Sequence, residues 1–150
     1  FNILINYITM ANNKNLKILI IEDDLFLLGM YTTKFEIENF KVFSAEDGEK
    51  GLKMAAKESP DIILLDIILP GMDGFEVLKK LKSDSATKDI PVILLTNLSQ
   101  KTEVEKGLSL GASDYLIKAH FMPAEVVEKI KGIVKYNFLF LYFYGIIVDK

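Results

Sequence analysis

Short apolar runs rich in β-branched residues alternate along this chain with longer segments in which apolar residues recur at helical spacing. The runs begin near Leu16, Lys41, Asp61, Pro91 and Asp114. Runs of this kind are typical of strands, and the periodicity between them is typical of amphipathic helices. Strands that alternate with helices form right-handed βαβ units. The pattern therefore predicts an α/β fold, in which helices cover both faces of a parallel sheet.

We predict one domain over residues 16–135, with five strands and five helices. The pattern does not fix the strand order. We adopt the doubly wound, flavodoxin-like order 2-1-3-4-5, because acids end strands 1 and 3 and ligands bind at the switch point between them. Asp24 and Asp47 are predicted to cap the first two helices, and Pro91 to open the fourth strand. Helical spacing predicts that Ala56 faces inward and adds Ile37 as a further candidate.

Both ends of the chain differ from its middle. Residues 1–15 are expected to be a poorly ordered N-terminal extension, since a start at Met10 fits better and no signal-peptide pattern is present. Residues 136–150 form an apolar C-terminal extension, which is shorter than the roughly 20 residues needed to span a bilayer. A continuation of the last helix or a packed strand is favoured. A membrane-surface or self-association segment, and a misplaced reading frame at both ends, are left open.

Composition excludes several kinds of site. The chain has no cysteine and one histidine, His120, so disulfides, thiolate chemistry and multi-histidine metal sites are excluded. The net charge is -3 and no Lys/Arg run occurs, which argues against nucleic acid as a partner. The absence of cysteine suits a reducing compartment, and we expect a cytoplasmic protein.

Polar residues follow four of the apolar runs, and they define the candidate site. Glu22 and Asp23 follow the first run, Asp66 the third, Thr96 the fourth and Lys118 the fifth. The carboxyl ends of parallel strands lie at one edge of a sheet, so these groups are expected to meet. Carboxylates about 4 Å apart repel by about 4 kcal/mol at an effective dielectric near 20, and a cation removes that cost. Oxygen ligands of this kind favour Mg²⁺.

This combination predicts phosphoryl chemistry. An ionised Asp66 beside Mg²⁺ can attack phosphorus, because the metal neutralises the phosphoryl oxygens. The acyl phosphate product needs donors, which Lys118 and Thr96 can supply. Each residue alone has an ordinary explanation: the acids at 22–24 can cap a helix, Lys118 can be a surface lysine and Thr96 can simply end a strand. Their combination favours the metal and phosphoryl site.

Four segments carry a specific resemblance to a known family: residues 18–24, 61–74, 91–96 and 111–118. In this order and spacing they resemble the CheY-like receiver domain of bacterial two-component response regulators, over about residues 16–135. The resemblance implies that Asp66 is the phosphoacceptor and Asp23 a direct Mg²⁺ ligand. Glu22 would act on the metal through water, and the backbone carbonyl of Ile68 would complete the protein ligands.

The resemblance also implies a switch. Thr96 and Lys118 would hold the phosphoryl oxygens, and Tyr115 would turn inward as Thr96 moves. The face formed by the fourth helix, fifth strand and fifth helix would follow and bind a downstream protein. The donor would be a sensor histidine kinase or a histidine phosphotransfer protein. A homodimer, and membrane contact through the C-terminal extension, are left open.

Three features depart from the family pattern. Ala119 stands where proline with a cis bond usually follows the lysine, and a cis bond before another residue costs about 3–4 kcal/mol, so a trans and differently shaped loop is expected. Asn97 stands where a small residue is usual. Ile68 and Leu98 make the approach to Asp66 apolar, which predicts slow self-dephosphorylation.

We therefore expect a phosphoacceptor that catalyses only its own phosphorylation and slow dephosphorylation. It would signal by protein contact or phosphotransfer, because no DNA-binding segment follows, unless the chain is part of a longer regulator. A receiver-like adaptor that is not phosphorylated is the alternative. A phosphohydrolase is disfavoured because Ile68 stands where a second acid is needed. A flavin protein is disfavoured because Glu22 and Asp23 would repel a phosphate.

Overall fold

The computed structural model describes residues 15–143, with side chains up to Val134. The predicted extensions therefore lie largely outside the described residues. The strands are β1 (Lys17–Ile21), β2 (Lys41–Ala45), β3 (Ile62–Leu65), β4 (Val92–Thr96) and β5 (Asp114–Ile117). The helices between and after them are α1 (Leu25–Ile37), α2 (Gly48–Glu58), α3 (Gly74–Ser83), α4 (Lys101–Ser109) and α5 (Pro123–Phe143). A short 3-10 turn, Lys118–His120, joins β5 to α5.

All strands are parallel, and within the described residues they form one sheet in the order β2-β1-β3-β4-β5. The predicted fold class and strand order are confirmed. Every residue of β3 and β4 is buried. Burial on both faces explains why these strands read as continuous apolar runs rather than as alternating ones.

Successive residues of each strand point to opposite faces of the sheet and so divide the core into two clusters. On one face Ile18 and Ile20 pack with α1 and α5, through side chains that include Phe35 and Ile130. On the other face Leu19 packs with residues of α2 and α3. The two layers of helices bury the central strands β3 and β4 completely, and the polar residues of the candidate site follow the carboxyl ends of the strands.

Local signals explain where the helices begin. Asp24 caps α1 by accepting hydrogen bonds from the backbone N–H groups of Phe26 and Leu27, and Asp47 caps α2 by accepting one from Lys50. Both predicted caps are confirmed. They satisfy amide groups that have no partner inside the helix.

Three details of the predicted pattern are wrong. Ala56 is exposed, because α2 presents Ala55 to the sheet and the next residue is rotated away. Ile37, at the end of α1, is 73% exposed. Pro91 precedes β4 rather than opening it, since the strand begins at Val92.

The last helix, α5, continues to Phe143, which lies beyond residue 135, where the predicted domain ends. None of the helices in the described part of the chain combines the length and apolar character needed to cross a membrane.

The start of α3 touches the backbone at the end of β3, and this contact requires glycine. A Cβ atom at Gly74 would lie 2.3 Å from the carbonyl oxygen of Asp66 and 2.5 Å from the Cα of Ile67. Neither backbone atom can move aside without displacing β3. Gly29, in the middle of α1, has nothing within 4 Å of the equivalent Cβ position.

Two Gly→Ala substitutions should therefore have opposite effects on the free energy of unfolding, measured with urea. Gly74→Ala is expected to lower it by about 2 kcal/mol, as overpacking does. Gly29→Ala is expected to raise it by about 0.5–1 kcal/mol, because alanine restricts the unfolded chain and favours helix. Equal effects of the two substitutions would contradict the close approach of α3 to β3.

Candidate functional site

The site lies at the carboxyl edge of the sheet, where polar residues stand at the ends of β1, β3, β4 and β5. Glu22 follows β1 directly, and its N–H bonds to the carbonyl of Ala45 at 3.0 Å. Asp66 follows β3, and its N–H bonds to the carbonyl of Ile21 at 3.0 Å. These backbone bonds extend the ladder by one residue and fix both carboxylates beside each other. Both residues are buried, whereas Asp23 is exposed.

Lys118 joins the two buried acids. Its Nζ lies 2.6 Å from Glu22 Oε2 and 2.6 Å from Asp66 Oδ2. The side chain of Lys118 is 12% exposed, and those of the acids are 5% and 6% exposed. Charge-assisted hydrogen bonds of this length in a partly dry pocket are strong, and losing one partner leaves an uncompensated charge.

The pKa directions of Glu22 and Lys118 follow from burial and from the charges that face each other in the pocket. Burial raises the pKa of Glu22, the hydrogen bond from Lys118 only partly offsets this, and the charge of Asp66 raises it further. For Lys118, burial lowers the pKa, but hydrogen bonds to Asp66 and Glu22 outweigh burial and raise it overall. The raised pKa of Glu22 indicates that a nearby positive charge would stabilise its carboxylate form, and the raised pKa of Lys118 indicates that the acids keep its ammonium charged.

The residues present fit a divalent cation. Carboxylate oxygens of Glu22, Asp23 and Asp66 lie within 4.8 Å of one another. Three carboxylates against the single ammonium of Lys118 leave a charge of -3 + 1 = -2 when all are ionised. Hard oxygen donors and this charge suit Mg²⁺. The loop after β3 is fixed beside them, because the N–H of Ile68 donates to Asp66 Oδ1 at 3.2 Å.

Thr96 and Tyr115 are connected through the backbone of Leu98. Thr96 is completely buried, and its Oγ1 accepts a long hydrogen bond of 3.4 Å from the N–H of Leu98. The hydroxyl of Tyr115 donates to the carbonyl of Leu98 at 2.7 Å. Burial raises the pKa of Tyr115, so this phenol remains a donor at neutral pH. A movement of Thr96 would therefore change the segment that holds Tyr115.

The three departures from the family pattern lie around this site. No cis peptide bond occurs between residues 15 and 143, so the Lys118–Ala119 bond is trans, and the chain forms a 3-10 turn there. Asn97 and Ala119 are exposed. Ile68 is 56% exposed, whereas Leu98 is half-buried and packs against the core.

The direct contact between Lys118 and Glu22 was not predicted. The sequence suggested Glu22 only as a metal group and Lys118 only as a phosphoryl donor. They lie 96 residues apart in the chain, and no local pattern reports such a pair. The buried position of Glu22, next to exposed Asp23, could not be read from the adjacent acids either.

Comparison with known proteins identifies the family. The family model described as the response regulator receiver domain matches residues 18–131. The chain belongs to this family. The receiver domain is thus a component of two-component signalling, and its acid pocket is consistent with a phosphoacceptor site. Receiver domains work with histidine kinases in general, and they are phosphoacceptors rather than enzymes in the usual sense.

Individual relatives of the chain belong to the same family. The chain is 45% identical to the response regulator PleD of Caulobacter vibrioides over 102 residues, which are 68% of this chain and 22% of PleD. It is 37% identical to the phosphate regulon regulatory protein PhoB of Escherichia coli over 79% of this chain and 52% of PhoB. A CheY-like receiver domain protein from Methanospirillum hungatei superposes with a TM-score of 0.76 at 28% identity, over 82% of this chain and 96% of that one.

Removal of the central ammonium should reveal the cation site. Lys118→Met leaves two buried carboxylates unpaired and is expected to lower the free energy of unfolding by about 3 kcal/mol. Added Mg²⁺ should restore part of this loss, because it supplies positive charge to the same oxygens. Urea unfolding with and without Mg²⁺ measures both effects.

Lys131→Met is the matched control. It removes an exposed ion pair with Glu38, 3.0 Å long, which should contribute only about 0–1 kcal/mol. Any effect of Mg²⁺ on this variant should equal that on the wild-type chain. A Lys118→Met variant that Mg²⁺ does not stabilise would contradict the cation site.

Proposed function

We propose that this receiver domain is a phosphorylation-controlled switch, which accepts a phosphoryl group on Asp66 in a Mg²⁺-dependent reaction. The observation that supports this most directly is the position of Lys118, whose Nζ lies 2.6 Å from Asp66 Oδ2. A carboxylate held in this position can act as a nucleophile toward phosphorus. The donor is the phosphohistidine of a sensor kinase or a phosphotransfer protein.

The transfer conserves atoms and charge as follows. A carboxylate oxygen of Asp66 forms a bond to phosphorus, the bond from phosphorus to the donor's imidazole nitrogen breaks, and the imidazole keeps the electron pair. Glu22, Asp23, Asp66 and the carbonyl of Ile68 would hold Mg²⁺. When bound, the metal neutralises the phosphoryl oxygens. Lys118 pairs with one phosphoryl oxygen of the product.

The new charge would act on the residues beside it. Thr96 turns its hydroxyl from the N–H of Leu98 toward the phosphoryl group, and the 3.4 Å bond between them is weak enough to exchange. Tyr115 and the surface of α4, β5 and α5 then change, and a downstream protein binds that surface in the cytoplasm. This is a two-state element whose balance one local charge shifts.

Mass spectrometry of the intact protein tests phosphorylation. With acetyl phosphate and Mg²⁺ the wild-type chain should gain one phosphoryl group, and it should gain none when Mg²⁺ is chelated. Asp66→Asn should abolish the gain. Asp73→Asn is the control, because Asp73 only caps α3 by accepting from the N–H of Glu76 at 3.0 Å. A wild-type chain that stays unmodified with acetyl phosphate and with a phosphotransfer donor would favour the adaptor.

The apolar groups beside Asp66 should make the phosphoryl group long-lived. Ile68 and Leu98 offer no polar atom from their side chains to orient an attacking water. The double variant Ile68→Asn, Leu98→Glu is therefore expected to shorten the phosphoryl half-life several-fold, as followed by mass spectrometry after donor removal.

Ile37→Asn provides the control for that experiment, because it exchanges another exposed apolar side chain at the far end of α1. It should leave the half-life unchanged. A half-life in the double variant no shorter than in Ile37→Asn would show that apolar shielding does not limit hydrolysis.

A further inference from the structure

The segment after Lys118 has a defined shape that does not depend on a proline. Lys118–His120 form a 3-10 turn, closed by the N–H of Phe121, which donates to the carbonyl of Lys118 at 3.4 Å. Ala119 and His120 are exposed. Neither side chain therefore holds the turn against the body of the domain, and the first side chain that can do so is Phe121.

Phe121 connects the turn to the core. It is half-buried and packs against the core cluster that contains Leu116 of β5 and Val126 of α5. The ammonium of Lys129 lies 5.2 Å from the centre of its ring. Contacts with the core and with a cation both restrict the movement of an aromatic ring.

The chain is also fixed directly after Phe121. The N–H of Met122 donates to Glu125 Oε1 at 3.0 Å, and the carbonyl of Met122 accepts from the N–H groups of Glu125 and Val126. These bonds join the turn to the first turn of α5. Phe121 thus lies between a short exposed turn and α5, a helix that packs against the sheet through the core.

The side chain of Lys118 needs this support. Its ammonium reaches two carboxylates at 2.6 Å each, at the end of a flexible four-carbon stem. The stem itself does not fix the ammonium, so the position of the Lys118 backbone must keep both carboxylates within reach. Before Lys118 the backbone is fixed by β5, where Ile117 pairs with Thr96. After Lys118 the first residue whose side chain packs against the core is Phe121.

We propose that Phe121 is a positioning residue for Lys118: its packing holds the 3-10 turn so that the ammonium reaches both Glu22 and Asp66. The proposal rests on the proposed phosphoacceptor function for its consequence, and on the contacts above for its geometry. Loss of the ring should free the turn, broaden the positions of the ammonium and slow phosphoryl transfer.

The Hε protons of Lys118, observed by NMR, test the geometry without any phosphoryl donor. A fixed lysine gives two distinct Hε shifts, whereas a mobile one gives an averaged shift. The wild type should show two shifts. Phe121→Ala should show one, and Phe121→Leu, which keeps an apolar contact with the core, should recover much of the difference. Ala119→Gly loosens the turn without removing a core contact and should reduce the difference too.

Phe43→Ala is the matched control for loss of stability. Phe43 is also a half-buried ring with a lysine above it, Lys41 at 5.4 Å, but it lies on the edge strand β2. It should leave the two Lys118 shifts distinct. If Phe121→Ala also keeps them distinct, or if Phe43→Ala averages them equally, the proposal is overturned.

The rate of phosphorylation tests the consequence. At saturating acetyl phosphate and Mg²⁺, Phe121→Ala should be about tenfold slower than Phe43→Ala, since small displacements of a positioned group are costly in rate. Phe121→Leu should lie close to the wild type. Equal rates in the two alanine variants would overturn the proposal. A wild type that is never phosphorylated would overturn the proposed function instead, while the Hε shifts still decide the geometry.

Discussion

The ion pair between Lys118 and two buried carboxylates is the interaction on which the rest of the site depends. A carboxylate taken out of water is costly unless it is paired, and one ammonium pairs both Glu22 and Asp66 at 2.6 Å. This pairing holds the Asp66 carboxylate at the edge of the sheet, where it can act as a nucleophile. It also leaves negative charge in excess, since Asp23 adds a third carboxylate within 4.8 Å. The pocket is thus suited to a hard cation and to the phosphoryl group that such a cation accompanies.

The fold is what brings these groups together. Parallel strands end at one edge, so acids after β1 and β3 and the lysine after β5 meet although they are distant in the chain. Close backbone contact at Gly74 sets α3 directly against the end of β3. After β5, the packing of Phe121 against the core holds the turn Lys118–His120. Apolar clusters on both faces of the sheet pack the strands against the helices and so fix the positions of the strand ends.

The periodicity of the apolar residues was enough to predict the α/β fold, Asp24 and Asp47 marked two helix caps, and the polar strand ends favoured the strand order that the structure shows. They report what each segment does locally. They could not predict that Lys118 contacts Glu22, because that pair depends on how β5 lies relative to β1. Nor could they predict the exposure of Ala56, where helical spacing alone leaves the rotation of α2 uncertain by one residue. The close approach at Gly74 likewise depends on how α3 packs against β3, and no local sequence pattern predicts it.

The central claim is that paired charges in this pocket make Asp66 a Mg²⁺-dependent phosphoacceptor. Phosphorus NMR of the protein with acetyl phosphate tests this most directly, because an acyl phosphate on the protein has its own resonance. We predict a protein-bound acyl-phosphate signal with Mg²⁺, no signal when Mg²⁺ is chelated, and no signal in Asp66→Asn. A signal that persists in Asp66→Asn, or that is independent of Mg²⁺, would contradict the claim.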